Sequence, residues 1–442
     1  MIADASEALV VEDAAGELVE KLTRPRPRLM AFTAVMVLVA LLLPLCWIYQ
    51  IREGIGVAGI NRPVFWGLYI INFVFWIGIS HAGTLISAIL RVTQAEWRRP
   101  VTRLAEAITV FSICVGGLFP LIHLGRPLIF FYMLPLPNDR YLWPNFRSPL
   151  MWDVVAITTY LTGSILYLTL PLIPDLAILR DRFRGEGGWR SRLYRILAMG
   201  WQGTQRQWRA LHAGIGILAV VIIPVAVSVH SIVSWDFAMS KVPGWHSTIF
   251  GPYFVVGAIY SGIAVLLVAM ALLRWGLALS DVLTDKVFSN LSLLFVAMAI
   301  IWGYFTYAEH LTTWYGGGEA EERVHHALMG GGFGQLFWLM VFLNMAVPLA
   351  VLPFRWGRKP IPVTLVGLCV LVGMWLERLL IVVPSLSTPR LEYTVGTYSP
   401  TWVEIGIFVG SIGSFVFLYL VFMQLFPIVS VWEIEEGRHG EH

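Results

Sequence analysis

TVFSICVGGLFPLIHLGRPLIFFYMLPLPNDRYLWPNFRSPLMWDVVAITTYLTGSILY, residues 109–167, reads as two apolar segments around an aromatic loop. The first segment closes on His123-Leu124-Gly125-Arg126-Pro127, and the second opens on Ser148-Pro149-Leu150-Met151-Trp152-Asp153. A helix needs about 20 apolar residues to cross the hydrocarbon core of a bilayer, so the stretch predicts a transmembrane hairpin. It puts a histidine at the end of one helix and an aspartate about one turn into the next, at the same depth. The loop interleaves Phe130, Phe131, Tyr132, Tyr141, Trp143 and Phe146 with Pro135, Pro137 and Pro144, a composition suited to the membrane interface.

The same reading extends along the chain. Of its 442 residues 57% are hydrophobic and 13% charged, with a mean hydropathy of +0.72; a soluble domain carries about 25% charged residues. Ten apolar segments follow one another at 30–50, 64–90, 104–123, 150–173, 211–234, 250–274, 288–311, 333–353, 362–383 and 401–426. They predict an all-α polytopic membrane protein, with a polar tail at 1–29, a ten-helix domain at 30–426 and a second tail at 427–442. The acidic first twenty residues do not have the layout of a cleaved signal peptide. Cys46, Cys114 and Cys369 lie inside apolar runs, with no CxxC or haem-attachment spacing, and read as small apolar helix residues.

Basic residues set the orientation, because loops on the inner face carry the excess of Lys and Arg. With the N-terminus inside, Lys21, Arg24, Arg26 and Arg28, the Arg91–Arg103 group, eight arginines in 180–209 and six further positions fall on the inner side. That makes 22 inner basic residues against 8 outer ones, and Arg378 lies within the ninth segment. Both termini are therefore expected to be cytoplasmic. A faint repeat relates Phe65-Trp66-Gly67-Leu68-Tyr69 through Arg91 to Phe250-Gly251-Pro252-Tyr253 through Arg274. It predicts two parallel four-helix bundles, segments 2–5 and 6–9, with 1 and 10 at the periphery. The loop at 312–332 holds two Gly-Gly-Gly runs but neither the preceding strand nor the Lys-Ser/Thr of a phosphate loop, so it is read as a flexible or close-packed connection.

This topology brings ionisable residues from five segments to the outer half: His123, Asp153, Asp236, Glu309-His310 and Glu377-Arg378. An ionisable side chain at the bilayer centre costs about 2.5–3.5 kcal/mol even on the lenient insertion scale. Asp153 shares a helix face with Ile157, Tyr160, Ser164 and Tyr167, and His123 shares one with Gly116, Ser112 and Thr109. The alternatives are an N-cap or ion-pair role for Asp153 and a loop-carbonyl bond for His123. Glu377 and Arg378 are adjacent and point to different faces, so Arg378 is expected to pair across helices, with Asp153 or Asp236, or within a structural ion pair. His81, His230, Glu309 and His310 are candidates for a proton path. His81, His123, His212, His230 and His310 do not form the two matched pairs that a di-haem bundle needs, and no other metal-ligand cluster is evident.

The His123–Pro127 ending, the aromatic loop, the Ser148–Asp153 opening and His81-Ala82-Gly83-Thr84 together resemble the NrfD/polysulfide-reductase membrane-subunit family over about residues 30–430. Within it the sequence resembles the quinol-oxidising ActC type of bacterial alternative complex III. The resemblance implies a subunit without its own haem or iron–sulfur cluster, in the bacterial cytoplasmic membrane. Such a subunit binds quinol (menaquinol or ubiquinol) near the outer surface and passes electrons to an iron–sulfur protein and then to a multihaem cytochrome c. It also implies a paralogous NrfD-like partner and contact with membrane lipid, and no nucleic-acid partner is expected. By carry-over His123 and Asp153 contact the quinol, and Asp236 and Arg378 are further pocket residues. A quinol releases two protons with its two electrons, which neutral imidazole and a desolvated carboxylate can take. The competing readings are an anchor or proton-translocating subunit of the paralogous ActF type, or a secondary transporter using His81, Glu106 and Asp175. Sparse inner-half charge and the lack of broken helices speak against the transporter.

Overall fold

The computed structural model describes residues 26–439 except 135, 142, 144, 186, 389 and 392–395, together with all side chains in that range but those of Ala82, Thr84, Gly437, Arg438 and His439. Lys21 and Arg24 of the basic cluster, Pro135 and Pro144 of the aromatic loop and the side chains of Thr84 and Arg438 therefore lie outside the described residues. Among the described residues ten helices are long and apolar enough to cross a membrane. They are α1 (Pro27–Glu53), α2 (Leu68–Val92), α3 (Thr102–His123), α4 (Pro149–Arg182), α5 (Gln205–Ala238), α6 (Phe250–Gly276), α7 (Asp285–Gly316), α8 (Gly334–Val351), α9 (Pro360–Ser387) and α10 (Trp402–Leu425). Local chemistry sets many of their starts. Pro27, Pro149 and Pro360 stand in the first turn, where a missing N–H costs nothing. Thr204 with Gln207 forms a reciprocal cap for α5, and Glu404 accepts from the Thr401 N–H at the start of α10 at 3.0 Å.

Helices α2–α5 pack as one group of four and α6–α9 as a second, with α2 and α6 against each other at the centre, while α1 and α10 pair at the periphery. Lipid gives packed helices no hydrophobic incentive to associate, so close approach through small residues carries much of the packing. A β-carbon on Gly83 of α2 would lie 1.6 Å from the Ala105 carbonyl oxygen of α3. The bare backbone there lets the Thr109 hydroxyl donate to the Ser80 carbonyl at 2.6 Å. In the same way a β-carbon on Gly410 would meet the backbone nitrogen of Leu43 at 2.2 Å, where α10 crosses α1.

Two connections differ from their reading in the sequence. Residues 312–332 contain a helix, Glu319–Met329, laid over the end of the second bundle, with Ala320 and Val324 buried beneath it. The chain after α10 does not leave the protein as a polar tail: residues 428–433 are buried. The cause is an ion pair within the bundle. Arg103 of α3 donates to Asp175 of α4, to the carbonyls of Pro171 (2.8 Å), Pro427 (3.1 Å) and Val429 (3.2 Å), and to the Ser430 hydroxyl. Asp175 in turn accepts from the backbone N–H groups of Val431 and Trp432 at 3.1 and 3.2 Å. Glu433 then pairs with Arg91 and Arg98, and its carbonyl accepts from Arg99. Asp175 is thereby fully engaged in holding three parts of the chain together, which removes it from the candidates for an ion path.

Cutting a buried pair leaves an uncompensated charge. Asp175→Ala is expected to destabilise the protein by about 3–5 kcal/mol, read as a lower thermal unfolding midpoint of the purified chain. An unchanged midpoint would contradict the clamp.

Candidate functional site

At the end of the first bundle formed by the start of α4 and the end of α5, Asp153 and Asp236 are buried, and their carboxyl groups lie beside each other. Two carboxyl groups in contact can bond to each other only when one of them carries a proton. The Oδ1 atoms of both residues make no hydrogen bond within the protein. Trp152 and Trp235, their chain neighbours, meet edge to face at 6.1 Å and brace the same helix contact.

His123 stands at the same height. A β-carbon on Gly117 of α3 would lie 3.5 Å from Ile157 of α4, and from that level His123 is six residues further along α3 and Asp153 four residues back along α4. At 1.5 Å per residue their heights agree within about 3 Å. The His123 Nδ1 atom is buried and makes no hydrogen bond within the protein. Its ring lies edge to face against Tyr69 of α2, at 6.4 Å between centroids. Tyr69 donates to the side chain of Gln50, which donates to the Ile122 carbonyl at 2.8 Å and so ties α1 to the histidine's own helix. Sequence reasoning misses Gln50 and Tyr69. Gln50 is a polar residue in an otherwise apolar helix and is legible as an anomaly; Tyr69 looks like any interfacial aromatic.

Deeper in the same bundle the stripes on α2, α3 and α4 face one another. Ser87 donates to Glu106 at 2.8 Å and approaches the Tyr167 hydroxyl at 3.4 Å. The Tyr160 hydroxyl donates to the Ser80 carbonyl at 3.1 Å, beside the bond from Thr109. Glu106 Oε2, Ser112 Oγ and Ser164 Oγ are buried without a partner in the protein. Near mid-height His81 places Nδ1 2.7 Å from the Ile77 carbonyl and Nε2 2.7 Å from the Ala226 carbonyl. A neutral ring donates to only one of the two carbonyls. His230 of α5 lies against it, at 4.5 Å between centroids, with both ring nitrogens unpartnered. The two rings touch directly, so no macrocycle fits between them.

The remaining candidates sit in or beside the second bundle. Arg378 does not reach Asp153 or Asp236: it folds back to pair with its neighbour Glu377 and rests 5.2 Å over the Phe254 ring. A long guanidinium stem allows this despite the different faces of adjacent residues, and Glu377 is anchored by the Trp302 indole N–H at 2.7 Å. Glu309 accepts from Ser247 at 2.5 Å. It lines, with His310, Tyr253 and Glu377, a small cavity of about 60 Å³ beneath the helix Glu319–Met329. Burial and the neighbouring His326 lower the pKa of His325 on that helix; its ring is 5.5 Å from His310. His81 and His230 thus form one pair and Glu309 and His310 another, in different bundles. Among the described residues no three His, Cys, Asp or Glu side chains are grouped to hold a metal ion.

The family model for polysulphide reductase, NrfD, matches residues 56–390. Among curated proteins the chain is 28% identical to a membrane protein of Halobacterium salinarum provisionally assigned to a dimethyl sulfoxide reductase, over 86% of this chain and 87% of that one. It is 24% identical to one of the subunits of the selenate reductase of Mesobacillus selenatarsenatis, over 89% and 92%. It is 23% identical to the Hdr-like menaquinol oxidoreductase integral membrane subunit of Archaeoglobus fulgidus, over 92% and 95%.

A proton shared between the two aspartates would have a spectroscopic consequence. Asp153→Asn and Asp236→Asn are each expected to remove the same protonated-carboxyl component from the infrared spectrum. Retention of that component in both variants would exclude the shared proton.

Proposed function

The chain belongs to the NrfD polysulphide reductase family, and from that premise we propose that it is the membrane subunit of a multi-subunit redox complex and oxidises quinol at the His123 end of its first bundle. The observation that carries this reading is the set of buried polar atoms left without protein partners there: His123 Nδ1, Asp153 Oδ1 and Asp236 Oδ1, from three helices. A dihydroxy ring offers hydroxyl donors to such acceptors, and the adjoining Tyr69 supplies an aromatic edge.

In this mechanism His123 Nδ1 accepts one hydroxyl proton, held in place by the packing of Tyr69 and Gln50. The Asp153–Asp236 pair accepts the second. The two electrons released with those protons leave to an iron–sulfur protein docked on the outer face, and from it to a multihaem cytochrome c, as in an alternative complex III with a paralogous NrfD-like partner. The arginine-rich ends of the helices face the cytoplasm, with both termini, in a bacterial cytoplasmic membrane. The name of the Archaeoglobus relative favours menaquinol as the substrate. Arg378 acts from beside the second bundle, through Phe254 and His230, rather than on the quinol.

A second reading, proton translocation, rests on a different observation. The polar groups from Glu106 through Ser87, Tyr167, Tyr160 and Thr109 to His81 and His230 form a buried file running from near the arginine-rich end to mid-membrane. In a membrane interior such groups mark proton relays.

Asp153→Asn and His123→Gln in the assembled complex are each expected to lower quinol-dependent turnover by about 10²-fold or more, with haem and iron–sulfur content unchanged. Wild-type turnover in either fully assembled variant would refute its role as a proton acceptor. For the second reading, Glu106→Gln in proteoliposomes is expected to abolish proton translocation while uncoupled quinol oxidation continues. Unimpaired translocation would rule out the file as its route.

A further inference from the structure

Between α4 and α5 the chain carries eight arginines in residues 180–209 against two acidic residues, Asp181 and Glu186. The helix Trp189–Leu197 lies within this stretch. Its buried positions, Ser191 and Tyr194, continue into Ala198 and face the protein. The Tyr194 hydroxyl donates to the Leu425 carbonyl at the end of α10 at 2.8 Å, and its ring packs on Phe183 at 5.6 Å. The opposite face is unusual for a polar connection. Trp189, Ile196 and Met199 are 63%, 66% and 71% exposed; the seven-residue spacing puts Trp189 and Ile196 on one side of the helix with Arg192 between, and Met199 follows in the turn after it. Arg190 rests 5.5 Å from the Trp189 ring. Trp201 and Trp208, edge to face at 5.0 Å, mark the start of α5 beside it.

Next to this face is a cavity of about 370 Å³ lined by Arg180, Arg184, Ser191, Arg195, Gly200 and Gln202. Arg180 is a fixed wall: it clasps Asp181 through two bonds, at 2.9 and 2.8 Å, and donates to the Trp201 carbonyl at 2.8 Å. Among the described residues neither the Arg184 nor the Arg195 guanidinium makes a hydrogen bond, which leaves both available to a ligand. Arg184 approaches Asp181 only at 3.8 Å, and Arg195 forms no ion pair among the described residues. Two convergent, available guanidinium groups with a serine and a glutamine beside them suit a phosphodiester, which arginine binds through paired N–H donors. Exposed Trp, Ile and Met side chains on the adjoining face would enter the acyl boundary at the depth where the headgroup meets the cavity.

We propose that this cavity is a binding site for the headgroup of an anionic phospholipid, its phosphate held by Arg184 and Arg195 and its acyl region covering Trp189, Ile196 and Met199. A basic recess at a helix end combined with an apolar insertion face distinguishes a lipid from a soluble anion, which would use the arginines alone. The site also abuts the segment that the Arg103–Asp175 clamp holds, so a bound lipid would extend the seal on that end of the first bundle.

The test uses the full-length protein purified in mild detergent and exchanged into nanodiscs of mixed phosphatidylglycerol and phosphatidylcholine. Lipid retained after re-extraction is counted by mass spectrometry. The wild type is expected to retain phosphatidylglycerol at about tenfold over its bulk ratio, Arg184→Gln with Arg195→Gln to fall to the bulk ratio, and the double lysine variant to keep most of the enrichment. Both arginines are exposed, so the folded state survives, which an unchanged thermal midpoint checks. Trp189→Ala is expected to weaken retention without altering charge. Equal enrichment in the wild type and the double glutamine variant would overturn the proposal. So would complete loss of enrichment on adding millimolar inorganic phosphate at fixed ionic strength, which would mark a free-phosphate site instead.

Discussion

A polar group inside a bilayer has only other protein groups to bond with, and the architecture follows from that constraint. Each helix satisfies its own backbone, so what needs arranging is the side chains. The stripes on α2, α3 and α4 turn inward together because Ser87, Glu106, Thr109 and Tyr160 each find a partner across the bundle. Gly83 makes the tightest of these contacts possible by letting two backbones meet where any side chain would hold them apart. The same constraint closes the arginine-rich end. A buried Arg103 demands a carboxylate and several carbonyls, and meeting that demand pulls the chain after α10 into the protein.

Against that background of satisfied groups, the exceptions carry the meaning. Buried polar atoms without a partner cost about 1–3 kcal/mol each, and three of them gather at one end of the first bundle, on His123, Asp153 and Asp236. A bundle selected for stability alone would have paired or removed them. The second bundle shows the contrast. Its own ionisable groups at the corresponding end are largely engaged: Glu309 by Ser247, and Glu377 by Trp302 and Arg378. The two halves share a fold and a direction; among the described residues the second leaves His325 Nδ1 and Ser387 Oγ open near that end, whereas the first leaves ionisable acceptors open on three neighbouring helices.

Composition and periodicity were enough to read the helices. Ten apolar runs of bilayer length match α1–α10 to within a few residues at most ends, because hydrocarbon thickness imposes a length that no soluble helix must obey. The longest departures, at α4 and α5, occur where polar turns extend the helices past the apolar run. The hairpin at 109–167 also disclosed His123 and Asp153, since an ionisable residue in an apolar run is conspicuous whatever surrounds it.

Partners were another matter. Which carboxylate meets which cation depends on helix rotation and on how far a flexible side chain reaches, and neither is written in local spacing. Arg378 therefore turned to Glu377 beside it rather than to Asp153, and Asp236 joined Asp153 across α4 and α5. Gln50 and Tyr69 entered the site only because α1 and α2 pack against the end of α3. The sequence by itself determined that the chain spans a membrane ten times and which residues are out of place in lipid. Only the tertiary structure decided which of those are bonded and which are left open, because in a medium without water that outcome rests on the contacts between helices.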